Sequence, residues 1–111
     1  MSAAQRAKGR RGQTTVTAML RDRDWSVAEL AAGFATEDLI ATDPAGKAWA
    51  VEVKNQAVIS HLHRRQAQEQ GKARRMPWML VSKIAGTDCW LVQRQGVRPA
   101  VWTETVQEIA E

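Results

Sequence analysis

One segment constrains the fold of this chain more than any other, because it has the pattern of a β-hairpin. Residues 48–54 alternate, so that three large apolar side chains fall on one face of a predicted strand while Glu52 and Lys54 fall on the other. Residues 38–42 suit a partner strand, and the Asp-Pro-Ala-Gly sequence at 43–46 suits a type I turn closed by a left-handed glycine. A chain with this hairpin must form a sheet and must cover its apolar face.

The register of the predicted hairpin brings like charges together. In a three-residue loop, Asp43 pairs with Lys47. Counting back along both strands sets Asp38 opposite Glu52, with Cβ atoms about 4.5–5.5 Å apart, where like charges destabilise a hairpin. Lys54, about 7 Å along the strand, supplies one positive charge, and Mg²⁺, which prefers oxygen ligands, would supply the rest. The alternative is a solvated acidic face with an incidental lysine.

The remaining elements follow from apolar periodicity and turn signals. The order of helix, strands, helix and strands predicts an α/β fold with a mixed central sheet flanked by helices. The predicted elements are a helix over 10–24, a strand over 25–30, a helix over 57–75, strands over 78–81 and 89–92 that are buried on both faces, an edge strand at 101–102, and a C-terminal helix that begins with a capping box of Thr105 and Glu108.

Each of the first two predicted helices carries a glutamine on the side expected to face the sheet. Gln13 lies at the spacing i, i+3, i+7 with Val16 and Leu20. We therefore expect its amide to point inward, either satisfied by the backbone or placed at a site. Gln66 has the same two interpretations, and the other members of its stripe are Ile59, Leu62, Gln70 and Ala73.

Length and composition limit the chain to one domain. Its 111 residues are 44% hydrophobic and 25% charged, which is ordinary for a soluble globular protein. We expect a flexible basic N-terminus at 1–8 and a single domain at 9–111. The chain has no apolar run of about 18 residues to span a membrane. The lone Cys89 excludes an internal disulfide and a cysteine-rich zinc site, and it fits a reducing cytoplasm.

The net charge of +4 is unevenly distributed along the chain. Residues 1–23 and 61–75 are strongly basic, whereas residues 24–53 between them are acidic. This pattern points to a polyanion partner with a cation site between the basic flanks, although charged helix surfaces are also commonly just solvated. At the start of the first helix, the helix dipole is also expected to favour anions. The candidate phosphate contacts are Lys8, Arg10, Arg11, Arg64, Arg65, Lys72, Arg74 and Arg75.

Other chemically distinctive side chains have plainer interpretations. His61 and His63 diverge at i, i+2 on a helix, so we expect surface or DNA-facing histidines rather than a zinc site. Cys89 is expected to be a small buried hydrophobe. Of the five tryptophans, only Trp102 stays open as a contact.

The order of these features resembles a known nuclease superfamily. Asp38 on one strand, with Glu52-Val53-Lys54 on the next and a helix on either side of the pair, resembles the PD-(D/E)XK nucleases. The opening at residues 8–13 resembles the start of archaeal Holliday-junction resolvases and their phage relatives. The resemblance implies a restriction-endonuclease-like core. It also implies that Asp38, Glu52 and the carbonyl of Val53 are metal ligands and that Lys54 is the catalytic lysine.

The resemblance, which covers residues 8–84, is weaker at the glutamines. Gln66 resembles the helix glutamine that many members place near the site. Gln13 stands where the family has a glutamate, so it offers the metal an amide oxygen without charge. The proline usual before the aspartate is replaced by Glu37, and Gln66 is followed by Gln70 rather than by the tyrosine of exonuclease-like members.

These roles imply a Mg²⁺-dependent DNA endonuclease, with Mn²⁺ able to substitute, that hydrolyses phosphodiester bonds in branched or otherwise structured DNA. The resolvase resemblance implies a homodimer acting in DNA recombination and repair, in the cytoplasm of a bacterial or phage-infected cell. Two alternatives stay open. One is a stand-alone nuclease of the virus-type replication-repair class, and the other is a non-catalytic nucleic-acid-binding relative, which the departures at Gln13 and Glu37 favour.

Overall fold

A mixed sheet with a helix on each face forms the described part of the protein. The computed structural model describes residues 3–29, 38–55 and 61–105. The six strands form one sheet in chain order, in which only the third and fourth strands are parallel, and this confirms the α/β class and the mixed sheet. Neither described helix is long and apolar enough to cross a membrane. The elements are α1 (Ala3–Asp22), β1 (Ser26–Glu29), β2 (Asp38–Thr42), β3 (Ala48–Lys54), α2 (His61–Arg74), β4 (Trp78–Lys83), β5 (Cys89–Arg94) and β6 (Val97–Thr103).

The predicted hairpin is present with the expected bounds and register. β2 and β3 begin and end at the predicted residues, and Asp38 pairs with Glu52. In the loop, the backbone N–H of Asp43 donates to the carbonyl of Lys47 at 2.8 Å. Gly46 has a φ of 91°, the left-handed conformation that closes such a loop. The two acids of the predicted site therefore occupy opposite positions on neighbouring strands.

Helix α1 begins at Ala3, so the predicted start at residue 10 was wrong. The segment 3–8, expected to be a flexible basic N-terminus, forms its first turns. All six of its residues are Ala, Gln, Arg or Lys, which have high helix propensity. The prediction relied on apolar periodicity, which this segment lacks. The helix ends at Asp22, close to the predicted residue 24.

The main hydrophobic core lies between α1 and one face of the sheet. Val16, Met19 and Leu20 of α1 are buried there. Gly12 permits the close approach of the helix, because a Cβ atom at this position would lie 2.8 Å from the Cβ atom of Asn55. The sheet contributes Trp49, Val51 and Val53 of β3, which we call the core face of β3, together with Leu39, Ala41, Met79, Val81, Trp90 and Val92.

Helix α2 packs on the opposite face of β3 and β4, and it buries different residues from those predicted. Its buried residues are Ala67 and Gly71, whereas Leu62 is 54% exposed and Gln66 is also exposed. A Cβ atom on Gly71 would lie 3.1 Å from the Cβ atom of Trp78, so the helix approaches the sheet too closely for larger side chains. The predicted inward stripe of α2 was therefore wrong as a core face. The prediction selected the larger side chains, whereas the helix packs through its small residues.

The two strands after α2 differ in burial. Four consecutive positions of β4 are buried, as predicted for a strand covered on both faces, whereas β5 alternates between buried and half-buried residues. Helix α2 packs mainly on β3 and β4, which leaves one face of β5 less covered. The edge strand β6 contains the predicted 101–102, and β1 falls within the predicted 25–30. The predicted helical residues 57–60 and 106–111 lie outside the described residues.

Candidate active site

The predicted acidic pair lies at the end of the hairpin, at positions where neighbouring strands come closest. Hydrogen bonding alternates along an antiparallel pair, and the bond from the Asp43 N–H to the Lys47 carbonyl fixes which positions are bonded. Counting from that bond makes Asp38 and Glu52 a non-hydrogen-bonded pair, a class whose Cα atoms lie about 4.5 Å apart. The register therefore sets the two acids at adjacent positions on the face of the sheet that α2 covers.

Glu52 and Lys54 form a buried ion pair on this face. The Nζ atom of Lys54 lies 3.1 Å from Oε1 of Glu52, and the two side chains are 12% and 3% exposed, respectively. Removing two charged groups from water costs free energy that their attraction does not always repay. Because an apolar pair would pack against α2 without that cost, the ion pair marks this face as a candidate site.

An open cleft of about 510 Å³ lies between this ion pair and α2. The structure therefore brings together Glu52, Lys54 and Gln66. Gln66 contributes from an exposed wall of the cleft and not from a buried helix face. The described lining is Glu52 and Lys54 of β3 with Leu62, Arg65, Gln66, Glu69 and Gln70 of α2.

The backbone carbonyl of Val53 is directed towards β2. Odd-numbered residues of β3 bond to β2, as the carbonyl of Lys47 does when it accepts from Asp43. Even-numbered residues bond to β4, as the N–H of Ala50 does when it donates to the Pro77 carbonyl at 2.9 Å. Val53 lies one position beyond the acidic pair, so its carbonyl points to the end of β2 that carries the first acid.

Gln13 lies on α1, which packs on the other face of the sheet. Its side chain is half-buried, and it is not among the described residues that line the cleft. The neighbouring Gly12 packs against Val53 and Asn55 at the end of β3. The structure therefore places Gln13 beside the strand end that carries Lys54 but does not bring it into the described cleft lining.

The donor set fits a hydrated cation better than a closed protein cage. Among the described residues, no three His, Cys, Asp or Glu side chains cluster closely enough to hold a metal ion. The predicted set has two carboxylates, Asp38 and Glu52, and one backbone carbonyl; the side chain of Asp38 lies outside the described part of the structure. Proteins usually bind Mg²⁺ through one or two carboxylates and leave several water ligands in place. The donor types of the predicted set are therefore those that Mg²⁺ takes.

Two polar side chains beside Lys54, the buried Ser82 and the half-buried His63, were not predicted from the sequence as part of the site. Ser82 pairs with Lys54 across β3 and β4, is fully buried, and its Oγ atom has no hydrogen-bond partner among the described residues. On α2, the Nδ1 atom of His63 is buried and likewise has no such partner within the described ranges. Burial, and then the positive charge of Lys54, lower the pKa of His63. His63 is therefore half-buried and not fully on the surface, whereas His61 is exposed as expected; that these histidines face DNA stays a prediction.

The predicted phosphate contacts fall in two groups, one on each helix. The amide of Asn55 donates from Nδ2 to the carbonyl of Lys8 at 3.0 Å, which holds the α1 group beside the end of β3. The helix-dipole argument for the α1 group was wrong, because α1 begins at Ala3 and the dipole acts within the first turn. The exposed members are Lys8, Arg10, Arg11, Arg64, Arg65, Lys72 and Arg75, and the half-buried one is Arg74.

Two other residues singled out in the sequence lie away from the cleft. Trp102 packs edge-to-face on Trp25, with ring centroids 6.0 Å apart, and the guanidinium carbon of Arg23 lies 4.8 Å from the Trp102 ring centroid. Trp102 therefore extends the core and does not stand open as a contact. Cys89 is half-buried, and less enclosed than predicted.

Comparisons with known sequences and structures identify no relative of this protein. Protein-family models, curated proteins and solved structures give no match to the chain. The functional assignment therefore depends on the cleft and on the motif of Asp38 with Glu52-Val53-Lys54 on adjacent strands.

Proposed function

We propose that this protein is a Mg²⁺-dependent DNA endonuclease of the PD-(D/E)XK type that acts on branched or otherwise structured DNA. The observation that carries the proposal is the pairing of Asp38 with Glu52 on a face where Glu52 also contacts Lys54 at 3.1 Å. The mixed sheet, with a helix packed on each face, is compatible with the restriction-endonuclease-like core that the resemblance implies.

Three groups would hold the ion: the carboxylates of Asp38 and Glu52 and the carbonyl of Val53. Bound Mg²⁺ supplies positive charge that polarises a phosphate group and lowers the pKa of a water molecule. The proposed reaction consumes one water, whose oxygen forms a bond to phosphorus. The bond from phosphorus to the leaving sugar oxygen breaks, and that oxygen takes up a proton to replace the one that the water gives up, which leaves one phosphate end and one hydroxyl end.

Lys54 is the residue to which we assign stabilisation of charge. Its ammonium group is positioned by Glu52 and opens onto the cleft, where it can donate hydrogen bonds to a phosphate oxygen as negative charge develops. On the opposite wall, Gln66 offers an amide and Arg65 a guanidinium to the same phosphate or to its neighbour. These α2 side chains are therefore assigned to orienting the substrate.

Exposed cations extend the proposed DNA surface beyond the cleft. Their expected partners are backbone phosphates, because Lys and Arg side chains bind phosphate oxygens whatever the base sequence. The proposed contacts are Lys8, Arg10 and Arg11 on α1 and Arg64, Arg65, Lys72, Arg74 and Arg75 at α2. A homodimer is part of the proposal, because paired cuts in a junction need two clefts, and sedimentation of the protein with and without junction DNA tests it.

A non-catalytic nucleic-acid-binding protein is the second candidate, and Gln13 is the observation that favours it. This uncharged side chain stands where the family has a glutamate, and it is absent from the described cleft lining. If Gln13 still contributes to the site, Gln13→Glu should lower the Mg²⁺ concentration needed for half-maximal cleavage. An unchanged Mg²⁺ requirement would remove Gln13 from the site.

Cleavage of DNA substrates of different shape tests the proposal. Four-way junction, flap, duplex and single-stranded substrates are incubated with the protein and Mg²⁺ or Mn²⁺, with EDTA as the metal-free control. We expect ion-dependent cleavage that is fastest on the junction and gives paired symmetric nicks. Equal cleavage of all substrates would favour a stand-alone nuclease of the virus-type replication-repair class. Binding without any cleavage would favour the non-catalytic candidate.

A further inference from the structure

A second groove lies at the other end of α2, and its charged side chains are all cationic. Its volume is about 540 Å³. Its described lining, which we call the basic groove, is Lys47, Gln68, Gly71, Lys72, Arg75, Met76, Pro77, Trp78 and Gln95. Three of these residues are cations and none is acidic, so the groove has the charge to bind an anion.

The third cation of the lining, Lys47, comes from the β2–β3 hairpin and not from α2. Cations near a helix C-terminus stabilise its dipole, which accounts for Lys72 and Arg75. Lys47 belongs to the β2–β3 hairpin, and its Nζ atom lies 4.6 Å from the ring centroid of Trp49. The acid of the same loop, Asp43, accepts hydrogen bonds from the Lys47 backbone N–H at 2.9 Å and from the Trp49 indole at 3.1 Å. Asp43 is therefore engaged in closing the loop.

Arg75 occupies a position that glycine would fit with less strain. Its φ of 56° lies in the left-handed region, which is unfavourable for a residue with a Cβ atom. The N–H of Arg75 donates to the carbonyl of Lys72 at 3.1 Å, and the N–H of Met76 donates to the carbonyl of Gly71 at 2.9 Å. These are the bonds of a Schellman motif, in which glycine is the usual residue. The guanidinium is therefore present despite a local conformational cost, as the side chain of Asp24 is at the end of α1.

Amide groups add hydrogen-bond donors to the three cations. The Oε1 atom of Gln95 accepts from the backbone N–H of Trp78 at 3.3 Å, which leaves the NH₂ group of Gln95 as the donor for a ligand. Gln68 brings a second carboxamide to the same groove from α2. Cations and neutral donors without a carboxylate are the groups that bind phosphate.

We propose that the basic groove binds a backbone phosphate of the same DNA that occupies the cleft, an inference that rests on the proposed function. Lys47 lies in the loop that leads into β3, five residues before Glu52, which is a separation of about 17 Å at about 3.3 Å per residue. DNA rises about 3.4 Å per base pair, so a duplex lying along α2 meets the groove about five base pairs from the cleft. The groove therefore determines the length of duplex that the protein contacts on one side of the cleavage position.

The double variant Lys72→Gln/Arg75→Gly tests the groove by removing two charges without straining the fold. Because glycine suits the φ of residue 75, the variant should melt at the wild-type temperature or above it. In EDTA, fluorescence anisotropy should show weaker binding of duplex DNA, and the slope of log K against log salt should fall by about one unit, because one phosphate contact is lost. The control Arg21→Gln/Arg98→Gln removes two exposed charges elsewhere and should keep the wild-type slope.

Two further measurements sharpen this test: the affinity for duplexes of different length and the binding of inorganic phosphate. Wild-type protein should lose affinity when the duplex is shortened by about five base pairs on one side, and the double variant should not. An unchanged salt slope, an equal loss in the control, or a groove that binds inorganic phosphate while duplex length has no effect would each overturn the proposal. Binding is measured without metal or cleavage, so this result is independent of whether the proposed nuclease activity is found.

Discussion

The two faces of β3 are similarly buried but are built from opposite chemistry. On the core face, three large apolar side chains pack against α1. On the face towards α2, Glu52 is only 3% exposed, yet it is charged and paired with Lys54. The core face stabilises the fold by removing apolar surface from water, whereas the charged face carries a desolvation cost. The difference teaches that the stability of this strand comes from one side and its chemistry from the other.

The largest expected effect is on cleavage, when the charged face is altered. Lys54→Ala should slow junction cleavage by about 10²–10³-fold, the usual loss when one group that stabilises transition-state charge is removed. Glu52→Gln should abolish cleavage while DNA binding persists, as measured by single-turnover gel assays and by anisotropy. The matched control Asp88→Asn neutralises an exposed acid of the β4–β5 turn and should cleave at the wild-type rate. Cleavage by Glu52→Gln at that same rate would mean that the site is wrongly assigned.

The next effect separates what the Glu52–Lys54 ion pair does to stability from what it does in cleavage. Lys54→Met leaves Glu52 buried without its lysine and should lower the free energy of unfolding by about 3–5 kcal/mol. Glu52→Leu/Lys54→Met should be as stable as wild type or more stable by about 1–4 kcal/mol, and it should not cleave DNA. Urea unfolding measures both. A double variant as unstable as Lys54→Met would show that the pair serves the fold.

Truncation of a side chain on the core side should lower stability and leave the cleavage rate unchanged. Met79 is fully buried beside Val51 of the core face, so Met79→Ala should lower the free energy of unfolding by about 2–5 kcal/mol. At a temperature where the variant is folded, its cleavage rate should match wild type. Loss of cleavage in the folded variant would contradict the assignment of stability to one face of β3 and of catalysis to the other.

A smaller effect is expected from His63, the half-buried histidine on the charged side. Because the folded protein lowers the pKa of His63, the unfolded chain binds protons more readily below about pH 6.5, and stability falls as pH drops through that range. His63→Gln should flatten the dependence of unfolding free energy on pH between about pH 7 and 5. The exposed His61 provides the matched control, and His61→Gln should keep the wild-type dependence. Identical pH profiles for wild type and His63→Gln would contradict the lowered pKa of this half-buried imidazole.

The hairpin could be predicted from the sequence because its signals are local. A turn sequence fixed the loop, the loop fixed the register, and the register set Asp38 opposite Glu52. The packing of α2 could not be predicted this way, because the helix approaches the sheet through Ala67 and Gly71, and a search for apolar side chains passes over them. Ser82 lies beside Lys54 because of the parallel β3–β4 register. That register depends on the crossover helix, and no short sequence pattern predicts it.

Direct binding of Mn²⁺ in the absence of DNA tests most simply whether the charged face of β3 is a metal-dependent site. Titration of wild type, Glu52→Gln and Asp88→Asn can be followed by the loss of the free Mn²⁺ electron paramagnetic resonance signal. The proposed site predicts saturable binding to wild type and to Asp88→Asn, and a large loss of affinity in folded Glu52→Gln. Equal binding by wild type and Glu52→Gln, or no binding by wild type, would contradict it.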